Sequence, residues 1–181
     1  VDWNDCWFVS RKLDGVRCYI TKDGAFSRNH KRFHNADHIL RDLEYVFIEY
    51  PDIILDGELY NHALKADFQK IVSLVRKVKC RPEELAESAE LVEYHTYDCY
   101  MKDCAELTFM ERQALLTRLV EDLTDSSKVI VVKTDYAEDS SAIDKLYGEY
   151  TEQGYEGQMV RQDKPYECKR SKNLLKRKWK N

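Results

Sequence analysis

Apolar residues along this chain follow two alternating rhythms, one of period two and one of period 3.6. Trp7-Phe8-Val9, and then Val16, Cys18, Tyr19 and Ile20, read as strands on either side of a short polar stretch. Thr21-Lys22-Asp23-Gly24 is a hairpin turn, because Asp-Gly accepts the positive φ such turns need, and it leads into Phe26-Ser27-Arg28-Asn29. Over residues 35–50, Ile39, Leu40, Leu43, Val46, Phe47 and Tyr50 recur at helical spacing until Pro51 ends the pattern. Ile53-Ile54-Leu55 predicts a buried strand ending in Asp56-Gly57-Glu58-Leu59-Tyr60. Asp67 caps a second predicted helix with Phe68, Ile71, Val72, Val75 and Val78 on its apolar face, and a short helix starts at Pro82. Residues 91–100 form an aromatic-rich strand. Thr108 and Glu111 make a capping box ahead of Leu115, Leu116, Leu119 and Leu123. A valine-rich strand follows over 128–133, then a helix over 140–153 with Ile143, Leu146, Tyr147 and Tyr150 inward, stopped by Gly154. Strands over 155–161 and 174–180 close the chain.

Strand pairs joined by hairpins alternate with helices, without a regular strand–helix–strand rhythm. That pattern predicts an α+β fold with mainly antiparallel sheets. At 181 residues, with no repeat, low-complexity tract or flexible linker, the chain reads as one domain over 1–181.

Composition changes this picture in three places. No apolar run approaches the roughly 20 residues of a membrane span, so no membrane partner is expected. Six cysteines (Cys6, Cys18, Cys80, Cys99, Cys104, Cys168) form no C-x-x-C pair, and Cys6, Cys18 and Cys99 fall in strands as small apolar fillers. With no secretory signal, the thiols are expected to be reduced and the protein intracellular. The chain starts at Val1 rather than methionine, as a piece of a longer protein does. The net charge of −4 argues against a nucleic-acid partner, but its distribution argues for one: residues 164–181 carry eight Lys and Arg against Glu167 alone, leaving the rest at −11. Leu174, Leu175 and Trp179 interrupt that basic segment, so it reads as structured rather than as a loose tail.

The candidate chemistry centres on Arg11-Lys12-Leu13-Asp14-Gly15-Val16-Arg17, a K-x-D-G-x-R pattern between two strands. A lysine forms a covalent bond to carbon or phosphorus only when neutral, and from a reference pKa of about 10.4 roughly one in a thousand is neutral near pH 7.4. Burial or cationic neighbours must therefore lower its pKa, and Arg11 and Arg17 are the candidates in sequence. By itself the segment is equally an ordinary Asp-Gly hairpin carrying an exposed lysine. Asp56-Gly57-Glu58 offers two carboxylates as hydroxyl acceptor and magnesium ligand, or merely a charged turn. Glu156-Gly157 offers another. Tyr97-Asp98 places an aromatic ring where a base stacks, although a strand tyrosine is more often core. Lys176 and Lys178 share one face of a strand, unfavourable unless an anion lies between them or the face is simply exposed.

In this order, K-x-D-G-x-R, S-R, D-G-E-L, Y-D, E-G and L-L-K-x-K resemble the covalent nucleotidyltransferases: DNA ligases, RNA ligases and messenger-RNA capping enzymes. Lys12–Arg17 looks like motif I, Ser27-Arg28 motif Ia, Leu55–Tyr60 motif III, Tyr97-Asp98 motif IIIa, Glu156-Gly157 motif IV, and residues 171–178 motif V, strengthened by Arg170-Ser171. The segments Leu55–His62 and Asp67–Lys77 look most like ATP-dependent DNA ligases of the small phage and viral type, enzymes of DNA replication, repair and recombination. The resemblance implies an ATP-grasp-like nucleotidyltransferase fold, its active site between the sheets. It implies that Lys12 attacks the α-phosphate of ATP to form lysyl-AMP, and that Asp14 orients or activates it. Arg17 is then expected on phosphate or on the strand termini at a nick, and Arg28 on the ribose or the nick 5′-phosphate. Glu58 would hold the ribose hydroxyl and, with Glu156, a Mg2+ or Mn2+ ion; Tyr97 would stack on adenine. Lys176 and Lys178 would grip the α-phosphate. Ser10 would lie near the adenine, a contact that Arg11 puts in doubt because many relatives carry an uncharged residue there. The implied partners are ATP and nicked duplex DNA, bound by a monomer. The oligonucleotide-binding (OB) domain and motif VI that follow in the family are absent from this chain, so weak self-adenylylation and sealing are expected. The readings to be separated from this one are an RNA ligase, a capping guanylyltransferase, and a non-catalytic nucleic-acid-binding module with the same fold.

Overall fold

The computed structural model describes residues 7–168 and 173–178. Cys6, Arg170-Ser171 of motif V, and Trp179 and Lys180 of the last predicted strand lie outside the described residues. Two sheets form the scaffold. The first runs β7(Thr134–Ala137), β1(Trp7–Lys12), β8(Gly157–Gln162), β9(Leu174–Lys178), antiparallel throughout. The second runs β3(Gly24–Phe26), β2(Val16–Thr21), β4(Ile54–Tyr60), β5(Glu93–Tyr100), β6(Val129–Val131), with only the β5–β6 pair parallel. The α+β fold of mainly antiparallel sheets is thus observed.

The helices are α1(Asp37–Glu49), α2(Phe68–Val75), α3(Pro82–Leu91), α4(Phe109–Val120) and α5(Ser140–Glu152). The capping box of α4 forms as predicted: Thr108 Oγ1 accepts from the Glu111 N–H at 3.4 Å and the Glu111 side chain accepts from the Thr108 N–H at 3.0 Å. Helix α2 ends at Val75, so Val78 is not on its apolar face and is exposed. Asp67 precedes α2 but its side chain makes no capping hydrogen bond.

Alternation decides which face of each strand is buried. Cys18 and Ile20 of β2 and Leu55 and Leu59 of β4 point into a core shared with Ile39, Leu43 and Val46 of α1, Ile71 and Leu74 of α2, and Leu116 of α4. On the first sheet, Trp7, Val9 and Val160 pack with Ile143 and Tyr150 of α5. A smaller cluster of Leu13, Tyr60 and Val132, with Tyr97 and Tyr155 against it, fills the seam between the sheets. The faces of β2 and β4 opposite the main core carry Arg17, Tyr19, Asp56 and Glu58, and they border that seam.

Candidate active site

Strands β1 and β2 do not form a hairpin. The three residues after Lys12 carry the chain from an inner strand of one sheet to an inner strand of the other. Buried Leu13 anchors this crossing in the seam. Gly15 is required by close approach: a Cβ there would lie 2.3 Å from the Leu59 carbonyl oxygen and 2.8 Å from Glu58 Cγ. Lys12 is therefore fixed at the end of a strand flanked on both sides, and it projects toward the second sheet.

The register of the first sheet assembles the cationic half of the site. Lys12 pairs with Gly157 and Gly157 with Lys178, so the two lysines flank a residue with no side chain. A Cβ on Gly157 would lie 2.0 Å from the Arg177 carbonyl oxygen. Gly57 is likewise packed against strand backbone within β4 rather than standing in a loop, so these glycines serve protein–protein approach. Glu156, just before β8, reaches both amines: Lys12 Nζ donates to Oε2 at 2.5 Å and Lys178 Nζ to Oε1 at 2.7 Å. Burial opposes ionisation of Glu156, but the two lysine contacts outweigh it and hold the carboxyl below its usual range. Lys176 lies one position along the same face, and among the described residues it donates to no carboxylate. Burial, together with the charges of Arg17 and Lys12, pushes its ammonium pKa down.

The second sheet supplies the facing wall. Arg17 is clamped by Asp56, Nε to Oδ1 at 3.2 Å and one terminal nitrogen to Oδ2 at 2.9 Å, and the Tyr166 hydroxyl donates to the same carboxylate at 2.9 Å. Asp56 is therefore mid-strand and committed to Arg17. Glu58 accepts from the Gly15 N–H at 3.1 Å and from the Tyr97 hydroxyl at 3.4 Å. Burial pushes its carboxyl from an ordinary 4.5 up to about 7, against these hydrogen bonds and the nearby Lys12. The folded chain thus holds this proton more tightly than the unfolded chain does. Stability from this group is full below the ordinary carboxylate pKa and declines as pH rises toward the folded value, by about 2–3 kcal/mol for a partly solvated group. Urea melts of wild type and Glu58→Gln at about pH 5 and about pH 8 test this: the substitution should shrink the loss of stability between them by about 2 kcal/mol. An unchanged loss would remove Glu58 as its source.

Tyr97 is aimed by a β-bulge. Asp56 pairs with Asp98 and Gly57 with Thr96, which leaves Tyr97 as the extra residue on β5. Its carbonyl accepts from Gln113 Nε2 of α4 at 2.6 Å, and Arg161 of β8 stands 5.5 Å from its ring centroid. Behind it, Asp98 binds two arginines: Arg112 through Nε at 2.7 Å and Arg161 through one terminal nitrogen at 3.0 Å. Arg161 Nε is buried with no hydrogen-bond partner, an unmet donor beside the tyrosine ring.

Lys12, Glu156, Lys178, Lys176, Arg17, Glu58 and Tyr97 are thus brought to one seam. Ser10 is buried on the Lys12 face of β1, two positions before it. Arg11 is on the opposite face, donating to Gln153 at 2.9 Å and covering the Tyr150 ring, so it is no cationic neighbour of Lys12. Arg17, being neutralised by Asp56, is a weaker one than its position in the motif implies. Asp14 is exposed and makes no side-chain hydrogen bond among the described residues. It lines a hollow of about 450 Å³ that also borders Tyr60, Lys65 and Glu156, and the carboxylate touching Lys12 is Glu156 instead. Arg28 is exposed at the rim, where its charge is felt by Tyr19 and Lys176. Sequence reasoning missed Tyr166, Arg112 and Arg161, and gave Asp98 no role of its own.

Glu58 and Glu156 are hard oxygen donors of the kind magnesium takes alongside substrate phosphates. Among the described residues no group of three or more His, Cys, Asp or Glu converges on one point.

Residues 2–178 match the family model described as ATP dependent DNA ligase domain. Over 167 residues the chain is 29% identical to the DNA ligase of African swine fever virus, covering 88% of this chain and 37% of that ligase. The chain therefore spans little more than a third of the viral relatives it matches. A solved structure from work on Lig E DNA ligases superposes with a TM-score of 0.77 at 24% identity, covering 99% of this chain and 64% of that one. Chlorella virus DNA ligase-adenylate gives a TM-score of 0.73 at 20% identity, with 98% and 63% covered. At these identities the two structures establish the nucleotidyltransferase fold alone.

Proposed function

The chain belongs to the family of ATP-dependent DNA ligase domains, and from that premise we propose that it is the adenylyltransferase part of a ligase acting on nicked duplex DNA. The observation carrying this reading is the convergence of Lys12 and Lys178 on Glu156, with Lys176 beside them holding no carboxylate among the described residues and Glu58 and Tyr97 opposite. Lys12 Nζ attacks the α-phosphorus of ATP; a nitrogen–phosphorus bond forms and pyrophosphate leaves. The amine, whose side chain is 20% exposed, must first release its proton to solvent and turn from Glu156. Because Lys12 and Lys178 keep that carboxyl easily ionised, Glu156 is a poor store for the proton and acts mainly to position the amine. Lys176 and Lys178 then neutralise the α-phosphate oxygens, which supports in-line transfer. Lys176, lacking a carboxylate, gains most from an arriving phosphate.

Tyr97 stacks on the base, with Arg161 packed 5.5 Å from its ring centroid as support. Glu58, held by Gly15 and Tyr97, takes the ribose hydroxyls. A magnesium ion held by Glu156, Glu58 and the nucleotide's phosphates would neutralise phosphoryl charge. Arg17, steered by Asp56 and Tyr166, and Arg28 at the rim face the 5′-phosphate that next receives AMP; a 3′-hydroxyl then displaces AMP and seals the strand.

The test is intact-mass measurement after incubation with ATP and magnesium, in parallel with GTP. One covalent AMP from ATP and no GMP from GTP is expected. Absence of any adduct, with DNA binding retained, would favour a non-catalytic nucleic-acid-binding module, and a GMP adduct a capping enzyme. Comparing DNA and RNA 3′ ends at the nick separates the RNA ligase reading.

A further inference from the structure

His62, just past the end of β4, joins the two sheets beside Lys12. It opens a short helical turn, His62–Leu64, that Asn61 fixes in place. The Asn61 side chain accepts from the Ala63 N–H at 3.0 Å and donates to the Leu91 carbonyl at 2.8 Å. From this turn the half-buried imidazole reaches across the seam to the segment between α5 and β8.

That segment delivers Glu156 to the site. Gly154 ends α5 with a φ of +89°, Tyr155 turns into the seam, and the Glu156 N–H donates to the Lys12 carbonyl at 3.3 Å. His62 holds the segment in two ways. Its ring stacks on Tyr155, with centroids 4.0 Å apart and planes 12° from parallel, and its Nε2 lies 2.8 Å from the Gln153 carbonyl oxygen. A carbonyl can only accept, so Nε2 carries the hydrogen, and in the neutral ring Nδ1 accepts from the Tyr60 hydroxyl at 2.6 Å. Tyr60 is the last residue of β4 and only 4% exposed, so the imidazole is pinned from the second sheet while it pins a segment of the first. The hollow of about 450 Å³ is walled by Tyr155 and Glu156 and by Tyr60 and Lys65, which flank His62 in sequence. Tyr155 and Glu156 therefore have room to shift once the imidazole is gone. Because Glu156 contacts Lys12 at 2.5 Å and Lys178 at 2.7 Å, such a shift is passed on to both amines.

We infer that His62 is a positioning residue for lysine adenylylation: it braces the Gln153–Glu156 segment against the second sheet and, through Glu156, sets where the Lys12 amine stands. The inference rests on the adenylyltransferase reading and deepens it by naming what holds the nucleophile's carboxylate in place. A displacement of about 1 Å at a reacting group costs about a hundredfold in rate. Because the effect passes through Glu156, it falls on the rate at saturating ATP more than on the ATP concentration that half-saturates it.

The experiment has two arms, both on the whole chain. The first needs no nucleotide: lysines compete for a limiting amount of acetic anhydride, and peptide mapping gives the rate at Lys12 relative to exposed Lys22 and Lys145. An amine released from a carboxylate is neutral more often and reacts faster, so His62→Ala should raise the relative rate at Lys12 several-fold. The second arm follows covalent AMP by intact mass at a series of ATP concentrations with magnesium. His62→Ala should slow adenylylation at saturating ATP by about tenfold to a hundredfold, with little change in the half-saturating concentration. His62→Gln keeps a donor for the Gln153 carbonyl, and it should lie nearer to wild type than His62→Ala in both arms. Melting temperatures establish that the variants fold, and where alanine does not, glutamine against wild type carries the comparison. An unchanged relative rate at Lys12, an equal rise at Lys22 and Lys145, or a loss confined to ATP affinity would each overturn the proposal. Wild type that acquires no AMP would sink the adenylyltransferase reading, while the acetylation arm would still decide whether His62 sets the place of Lys12.

Discussion

Lys12→Ala will carry no covalent AMP at any pH or incubation time, and Lys12→Arg will carry none either. The two substitutions fail for one chemical reason with different structural consequences. Alanine removes the nucleophile and leaves Glu156 with Lys178 as its single cation. Arginine preserves a cation beside Glu156, but its guanidinium stays protonated and cannot attack phosphorus. Melting temperature separates chemistry from folding. Lys12 and Glu156 are partly solvated, with side-chain exposures of 20% and 12%, so losing their contact should cost only about 1 kcal/mol, and arginine should restore part of it. Lys178 is the rival nucleophile, since its amine is 2.7 Å from the same carboxylate. It stands on outer strand β9 with its side chain 62% exposed, whereas Lys12 ends an inner strand anchored by Leu13. Peptide mapping of the wild-type adduct decides between them. An AMP that remains on the alanine variant, on Lys178 or elsewhere, would refute the assignment of the nucleophile.

The helices were legible in the sequence because a helix writes its burial into a local period. Ile39, Leu43 and Val46 mark the buried face of α1, and Thr108 with Glu111 marks the start of α4. Non-local pairing left no such mark. Val9 and Cys18 lie on strands close in sequence, which invited a hairpin, but they sit in different sheets because Leu13 wedges the crossing between them. Strand β7 was missed: Thr134, Asp135 and Tyr136 show no apolar run, and the strand forms as the outer partner of β1. Arg11 looked like a neighbour of Lys12 in the chain, yet strand alternation puts it over Tyr150. The site residues themselves could be gathered only through the resemblance, since the period of β1, β8 and β9 says nothing about the register that sets Lys12, Gly157 and Lys178 in a row. The bulge that aims Tyr97 depends on one unpaired position and has no compositional signal.

Asp98→Ala should destabilise the fold by about 3–5 kcal/mol, the range found when one partner of a buried ion pair is removed. Asp98 is 1% exposed and is the acceptor through which β5, α4 and β8 are joined, by way of Arg112 and Arg161. The two arginines do not suffer equally. Arg112 keeps the Leu107 and Lys164 carbonyls, each 2.8 Å from its terminal nitrogen. Arg161 has Asp98 as its one hydrogen-bonded carboxylate among the described residues, and its Nε is already unmet. Without Asp98 a buried guanidinium would remain uncompensated beside a second one. Adding Arg161→Met to Asp98→Ala removes that charge at similar volume, so the double variant should recover stability relative to Asp98→Ala alone. This recovery distinguishes charge burial from simple loss of packing, which a further substitution would only worsen. The same pair bridges the two sheets that hold Lys12 and Tyr97, so nucleotide affinity should fall in Asp98→Ala even under conditions where the chain stays folded. Urea titrations of wild type, both single variants and the double variant complete the cycle. A cost below about 1 kcal/mol for Asp98→Ala, or no recovery on removing Arg161, would show that this carboxylate does not hold the two sheets together.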